Sequence, residues 1–585
     1  MSCSRLSALL IIAALSTACS SKESGPPPKY AFIGFENLSG DASIDWAARG
    51  GGEFLASSLR DAMRSTGGDK SPVLSSDAIA RAGQPLGAHP ANAPGTSAAR
   101  DSAIVAGAGR IVGGYLERVP GGVRITASEE DAASHETIRT LSATAASPFD
   151  ALTRLAHDFS AQAGPPATRN ADAFRLYSSA LSLPAAGVVP LLTQAVQLDP
   201  DFGRAWVLLA RTLVVLGDRA HAQDVITQAR THKIPAIDQA WLDFESAALG
   251  NDRSASLAAM TRVANLDPSD GVLVRALADA DTAAGRFADA ANVWRRLTKD
   301  SPGDVNVWNQ LAYTLSWSGD YAGALAAVGE YARLRPNDAN PLDSRGDIQY
   351  WSGKYADAAN SYEAANAKTP GFLDGGELYK AAWATFLAGD KTAADLLMNR
   401  FRDVREKAKD PAIDLFAASW LYRTGRAQDA VALLRKTPAP DAPPISPIIR
   451  AETGTQLALW DLLAGDRASA SKDVAAGGTS GLTSNDLLIR FATLPSAPAA
   501  EWEARAAHIA PQLAALRNPA LGYALILDGK KQAAVPVWEE IVKQSPGTDF
   551  FARTILARLK GAPVDHAVVP DPVNPNPFAA IPDTL

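Results

Sequence analysis

Apolar and polar positions change their period along this chain. YAFIGFEN (30–37) is a compact apolar run of the kind that forms a buried strand, and LSGD after it supplies turn chemistry. Trp46, Phe54, Leu55, Leu59, Ala62 and Met63 then recur at helical spacing over 46–63, and Gly67-Gly68 ends that run. A Pro/Gly loop, QPLGAHPANAPGTSA (84–98), follows. RIVGGYLERV, GVRITASEED and ETIRTLSATA predict three strands, the first two joined by a tight PGG turn, with Val123, Ile125 and Ala127 alternating with polar residues. A helix over 148–163 closes this part.

From 169 to 560 the pattern is helical and its punctuation repeats. Pro268, Pro302, Pro336 and Pro370 fall 34 residues apart, and Gly285, Gly319 and Gly353 each follow the preceding proline by 17. This is a helical-hairpin period: a first helix ends near its Gly, a second stops at Pro, because Gly tolerates a left-handed cap and Pro cannot continue a helix. Backward, Pro200 and Gly217 keep the register, and Pro235 and Gly250 mark the intervening unit, each displaced by one; forward, Gly389, Gly425, Gly465 and Gly529 mark later hairpins less regularly. Nine or ten helix pairs are expected. The fold class is therefore α+β, a small N-terminal α/β domain followed by a long all-α superhelical solenoid.

The best copy, VNVWNQLAYTLSWSGDYAGALAAVGEYARLRP (305–336), resembles a tetratricopeptide repeat, with that family's marks at Trp308, Leu311, Ala312, Gly319, Tyr321, Ala324 and Pro336. Small residues at equivalent positions, Ala210, Ala278, Ala312 and Gly346 on first helices and Ala222, Ala290, Ala324 and Ala358 on second ones, let the helices stack closely. The resemblance implies a concave side lined by first helices. Its groove-facing positions fall on Asn306, Asn309, Tyr313, Ser316 and Trp317, then Asn340, Asp343, Asp347, Tyr350 and Trp351. Aromatic planes beside amides and carboxylates suit an extended peptide or a sugar chain; the competing reading is that Trp317 and Trp351 pack between repeats. The Lys, Asn and Arg clamp of chaperone-binding relatives is absent. In 30–165, the element order together with FENLSGD and GGYLERVPGGVRITASEEDAAS resembles the TolB-like amino-terminal domain shared with flagellar-assembly lipoproteins, which implies a non-catalytic assembly module.

Composition narrows the function classes. At 585 residues, with 47% apolar and 20% charged residues, the chain is globular and too long for one ordinary core. A net charge of -7 argues against broad phosphate binding, so no nucleic-acid partner is expected. Cys3 and Cys19 are the two cysteines. Residues 1–18 have the build of a secretory signal: Arg5, the apolar run LSALLIIAAL, then small residues before Cys19. LSTAC resembles a bacterial lipobox, which implies a diacylated Cys19 as mature N-terminus; ordinary signal-peptidase cleavage is the alternative. Ser20 after the cysteine resembles the outer-membrane pattern, and Pro-rich 19–29 reads as a tether. The expected setting is the bacterial cell envelope, lipid-anchored and facing the periplasm.

No motif carries catalysis. The histidines are scattered without ligand spacing, and neither a G-x-S-x-G elbow nor a Walker loop is present, so no enzyme activity, metal or cofactor is expected. Glu129-Glu130 reads as a solvated acidic pair, Gly50 to Gly52 as a flexible helix start, and Asn37-Leu38-Ser39 as a turn. The boundaries expected are 30–165 for the TolB-like domain, 169–435 for tetratricopeptide repeats, 436–450 for a Pro-rich interruption, 451–560 for degenerate helical repeats, and 561–585 for a Pro-rich tail, disordered or draped over the last helices. Such a chain suits a scaffold that binds protein partners in its groove, or alternatively a glycan-binding or polysaccharide-export accessory lipoprotein.

Overall fold

The computed structural model describes residues 28–63, 72–84, 96–436, 446–479, 482–573 and 575–585. Cys19, Gly67-Gly68 and most of the Pro-rich interruption lie outside the described residues. The chain divides into two compact units, Met1–Leu277 and Ala278–Leu585.

The first unit opens with β1 (Tyr30–Asn37), α1 (Asp45–Leu59), α2 (Ser76–Gly83), α3 (Thr96–Val105), β2 (Arg110–Val119), β3 (Gly122–Asp131), β4 (Thr137–Ala145) and α4 (Pro148–Phe159). The sheet order is β1-β2-β3-β4. β1 and β2 are parallel, so the three helices between them form the crossover that a parallel pair requires, while β2-β3 and β3-β4 are antiparallel. Gly50 to Gly52 do not loosen a helix start. They sit inside α1 because a Cβ on Gly51 would lie 2.5 Å from the Phe35 ring and one on Gly52 2.7 Å from the Phe32 carbonyl oxygen, which makes them a close helix-to-sheet contact. Glu129 is likewise not solvated: it is buried against Arg139 at 2.6 Å. Asn37 behaves as read, its Oδ1 accepting from the Ser39 amide at 3.0 Å.

Helical pairs follow in the same unit: α5 (Ala171–Ala180) with α6 (Ala185–Leu198), α7 (Gly203–Val215) with α8 (Arg219–Ala229), α9 (Ala236–Leu249) with α10 (Arg253–Leu266), then α11 (Gly271–Ala283). The second unit continues with α12 (Phe287–Asp300), α13 (Val305–Trp317), α14 (Tyr321–Leu334), α15 (Asn340–Trp351), α16 (Tyr355–Lys368), α17 (Gly376–Leu387), α18 (Lys391–Lys407), α19 (Ile413–Arg423), α20 (Ala427–Leu434), α21 (Pro447–Leu463) and α22 (Arg467–Ala476). α23 (Ser484–Ala492), α24 (Ala499–Ala507), α25 (Arg517–Leu527), α26 (Lys531–Gln544), α27 (Phe550–Lys560) and the short α28 (Ile581–Thr584) end the chain.

Four hairpin turns share one device, absent at Gly285, Gly353, Gly425 and Gly529, where Arg or Lys follows the glycine without a side-chain cap. A residue with positive φ ends the first helix, and the Asp after it caps the second: Asp218 accepts from the His221 amide, Asp320 from Gly323, Asp390 from Ala393 and Asp466 from Ser469. In the unit where the sequence marked Gly250, that glycine is right-handed and Asn251 takes the left-handed conformation at φ 57°, with Asp252 as cap. Asn251 stands 34 residues after Gly217, so the register is kept and Asn replaces Gly. The consensus tryptophan is structural too: Trp206 and Trp308 each donate through Nε1 to the carbonyl of the preceding repeat proline, Pro200 and Pro302, at 2.9 Å. All of the stacking alanines are fully buried, and a Cβ on Gly346 would meet the Tyr362 ring at 2.4 Å.

The second unit closes on itself. The Gly547 amide donates to the Ala283 carbonyl at 2.6 Å, and Phe550 stacks on Phe287 with ring centroids 6.4 Å apart. Neither a helix long and apolar enough to cross a membrane nor a cluster of metal-ligating side chains occurs among the described residues.

Candidate functional site

The expected groove positions lie on the first helices α13 and α15 of the second unit. Trp317 is ringed by Tyr313, Phe287, Trp351 and Phe550, with centroids 5.7, 5.9, 6.1 and 6.3 Å away. The repeat-spaced pair therefore packs together, and α27 covers it. Asn306 is exposed, Asn309 is half-buried with an unpartnered Oδ1, and Asn340 donates to the Tyr331 hydroxyl at 2.9 Å.

Asp343 and Asp347 are buried and spent on an internal network rather than presented to a partner. Lys380 Nζ donates to Asp343 at 2.8 Å and to Asp347 at 3.0 Å, while the Tyr313 and Tyr362 hydroxyls donate to Asp347 at 2.9 and 2.8 Å. Burial and the neighbouring Asp347 charge push Asp343 up to about 6. Burial works against the Lys380 ammonium, but the two carboxylates outweigh it and hold its pKa above the ordinary range. Such a network positions α13, α15, α16 and α17 against one another; breaking one member leaves the others uncompensated.

The first helices α13, α15, α17, α19, α21 and α25 carry the chain's own C-terminal segment. His566 Nε2 lies 3.1 Å from the Ser316 carbonyl on α13, and Ala567 and Val569 pack on the aromatic cluster of Tyr350, Tyr379, Trp383, Phe416 and Trp420. Pro572 is buried where a Cβ on Gly376 would be 2.7 Å from it. The Pro577 carbonyl accepts from Gln456 at 3.4 Å, Phe578 stacks flat on Tyr523 at 4.0 Å, Ile581 is fully buried, and Asp583 accepts from Arg423 at 2.8 Å. The tail is thus ordered along the first helices, not draped over the last ones alone. A half-open cleft of about 680 Å³ runs beside it, lined by Tyr350, Trp351, Tyr379, Trp383 and Phe386, by Phe551 and Arg558 of α27 and by the tail itself.

In the first unit the corresponding faces of α5, α7 and α9 are covered by α1 and α2. Phe174 packs against Trp46 and Phe54 at 6.2 and 5.3 Å. Arg204 lies between Glu53 at 3.3 Å and Asp77 at 3.0 Å; Arg81 pairs with Asp270, and Arg81 and Arg211 sit over Trp241 at 5.0 and 4.2 Å. Burial works to raise the Asp77 pKa, yet Arg204, Arg211 and Arg81 hold it at about 2. Burial pushes Asp238 up to about 7 against the pull of Arg204.

Tyr350 and Trp351, expected as groove-facing positions, line the cleft together with Tyr379, Trp383, Phe386 and the tail, which the repeat register does not mark. The signal was present in GELYKAAWATFL, where Tyr379, Trp383 and Phe386 recur at helical spacing as one aromatic stripe. No protein-family model and no curated protein matches the chain. Among solved structures, the MamA protein is 16% identical over 30% of this chain and 94% of its own, with a TM-score of 0.25. The C-terminal part of a TPR repeat-containing protein from Cytophaga hutchinsonii is 17% identical over 40% and 93%, with a TM-score of 0.30. Naa15/Naa10 bound to HypK gives 13% identity over 66% of each chain and a TM-score of 0.34.

Proposed function

We propose that this chain is a non-catalytic, lipid-anchored scaffold of the bacterial cell envelope, holding protein partners through the first-helix face of its tetratricopeptide-type repeats. The observation that carries this reading is the tail: residues 563–573 lie along that face without regular secondary structure, which supports a face that accepts an extended peptide. Trp317 and Trp351 are engaged in ring contacts with each other, Trp317 also with Phe550 and Trp351 with Tyr313, which favours a peptide over a sugar as occupant. The lipobox resemblance at LSTAC supports an anchor on Cys19, and the TolB-like resemblance supports an assembly role for the sheet domain. Two acyl chains suffice for stable anchoring.

Crosslinking in cells followed by mass spectrometry, with Cys19→Ala alongside, tests both halves. Crosslinks from envelope proteins to α15, α17 and α19, and radiolabelled palmitate lost in Cys19→Ala, are expected. Crosslinks confined to second helices would sink the partner assignment, and undiminished label would sink the anchor.

A further inference from the structure

The tail is a poor filler of the face it occupies. Along the aromatic face it offers small side chains, Ala567 and Val569 inward and Val568 38% exposed, and beside it a half-open cleft of about 680 Å³ reaches Trp351 and Phe386, which stay half-buried. Its firm contacts lie to either side, at His566 and at Phe578, Ile581 and Asp583. A segment held on both sides, at His566 and at Phe578, and offering only small side chains between them can be lifted there by a chain that buries more, because apolar area removed from water grows with side-chain size.

The geometry points to the first-helix face of α15, α17 and α19 as a docking site for an extended, proline-containing peptide with bulky apolar or aromatic side chains, covered in the resting chain by residues 563–573 and 575–585. Extended backbone is required because the path between α13 and α21 is followed by a segment with no helix or strand. Proline suits it because Pro570 and Pro572 already lie on the path, Pro572 buried on Gly376, and pre-extended backbone loses less freedom on binding. Bulk is required by the cleft. The site assumes the peptide-holding face proposed above, but it adds the side-chain chemistry of the occupant and the segment that must leave.

Fluorescence anisotropy on the full-length chain tests this with two labelled synthetic peptides. One has the sequence of residues 563–585; the other carries Ala567→Phe and Val569→Phe. The substituted peptide is expected to bind about tenfold or more tighter, since two added aromatic side chains enter the cleft. Phe578→Ala in the protein removes one of the tail's own anchors and leaves the aromatic face untouched, so both peptides gain about tenfold; Asp583→Asn, which alters one half-exposed ion pair and threatens no core, gives a gain of about two- to fourfold. Equal affinity of the two peptides, or no gain in Asp583→Asn and Phe578→Ala, overturns the site. Dimers in light scattering on tail release, without preference for the substituted peptide, also overturn it, in favour of tail exchange between copies. Peptide binding of the expected order without envelope crosslinks at this face removes the scaffold reading alone, and crosslinks there with both peptides indifferent remove this one alone.

Discussion

In the first unit, α5, α7 and α9 meet α1 and α2 through Phe174 and through Arg204 set between Glu53 and Asp77; in the second, the equivalent helices meet Ala567, Val569 and Pro572 of the chain's own end. The same face of the same kind of repeat is covered twice, by contacts of opposite character. A buried guanidinium between carboxylates cannot be given up piecemeal, because removing one partner leaves the others charged and dry. A strand of small apolar residues beside a half-open cleft loses little when it lifts. The contrast assigns the first face to architecture and the second to exchange.

That contrast can be broken most directly at Arg204. Arg204→Met takes the cation from Glu53 and leaves Asp77 with the more distant Arg211 at 3.7 Å, and should cost about 3–5 kcal/mol. Hydrogen exchange should lose protection in both the sheet domain and α5 to α10; loss confined to one of them would mean that the contact does not join the two. Asp238 gives a smaller, pH-dependent effect. Its folded pKa of about 7 stands above the ordinary carboxylate value, so the stability it contributes is present below about pH 4 and is lost as pH rises through about 7. Asp238→Asn should therefore be more stable than the parent at pH 8, by roughly 2–4 kcal/mol, and the gap should narrow toward pH 4. Melting curves across that range decide it, and a gap that widens on acidification would reverse the sign.

Packing in the second unit is tested at Ala324, fully buried at the stacking position of α14. Ala324→Leu should overpack the hairpin and cost about 1–3 kcal/mol by denaturant titration; an unchanged midpoint would place the helices further apart than described. Asp583→Asn should change global stability least, by less than about 1 kcal/mol, while quickening proteolytic cuts within 563–585. If cleavage there is as slow as in the parent, the tail is as fixed as the Arg204 contact and the contrast fails.

What was legible in the sequence was local. The 34-residue interval, the left-handed turns and the small stacking positions follow from residues within one repeat and carry the fold of 169–560, while apolar runs and alternation carry the four strands of the sheet domain. Gly250 marks that turn in the sequence, yet Asn251 makes it, because asparagine also tolerates the left-handed conformation. The site was legible in part. Trp351 and Tyr350 could be placed from the repeat register, whereas the Asp343 and Asp347 network needs Lys380 from the next repeat pair, where GFLDGG shifts the spacing. The pairing of Arg81 with Asp270 and of His566 with Ser316 joins residues 189 and 250 positions apart. No period of the sequence encodes such contacts, and they are what cover both faces.

The bond from the Gly547 amide to the Ala283 carbonyl bears on how such a chain can change over generations. An open stack grows or shrinks by whole hairpins, since each unit answers only to its neighbours. Where the last loop must return to the first turn, duplication or deletion of a hairpin between them carries Phe550 away from Phe287 and uncovers both ends at once. The second unit is therefore fixed in repeat number, and variation within it is expected as substitutions and loop insertions rather than as gain or loss of repeats.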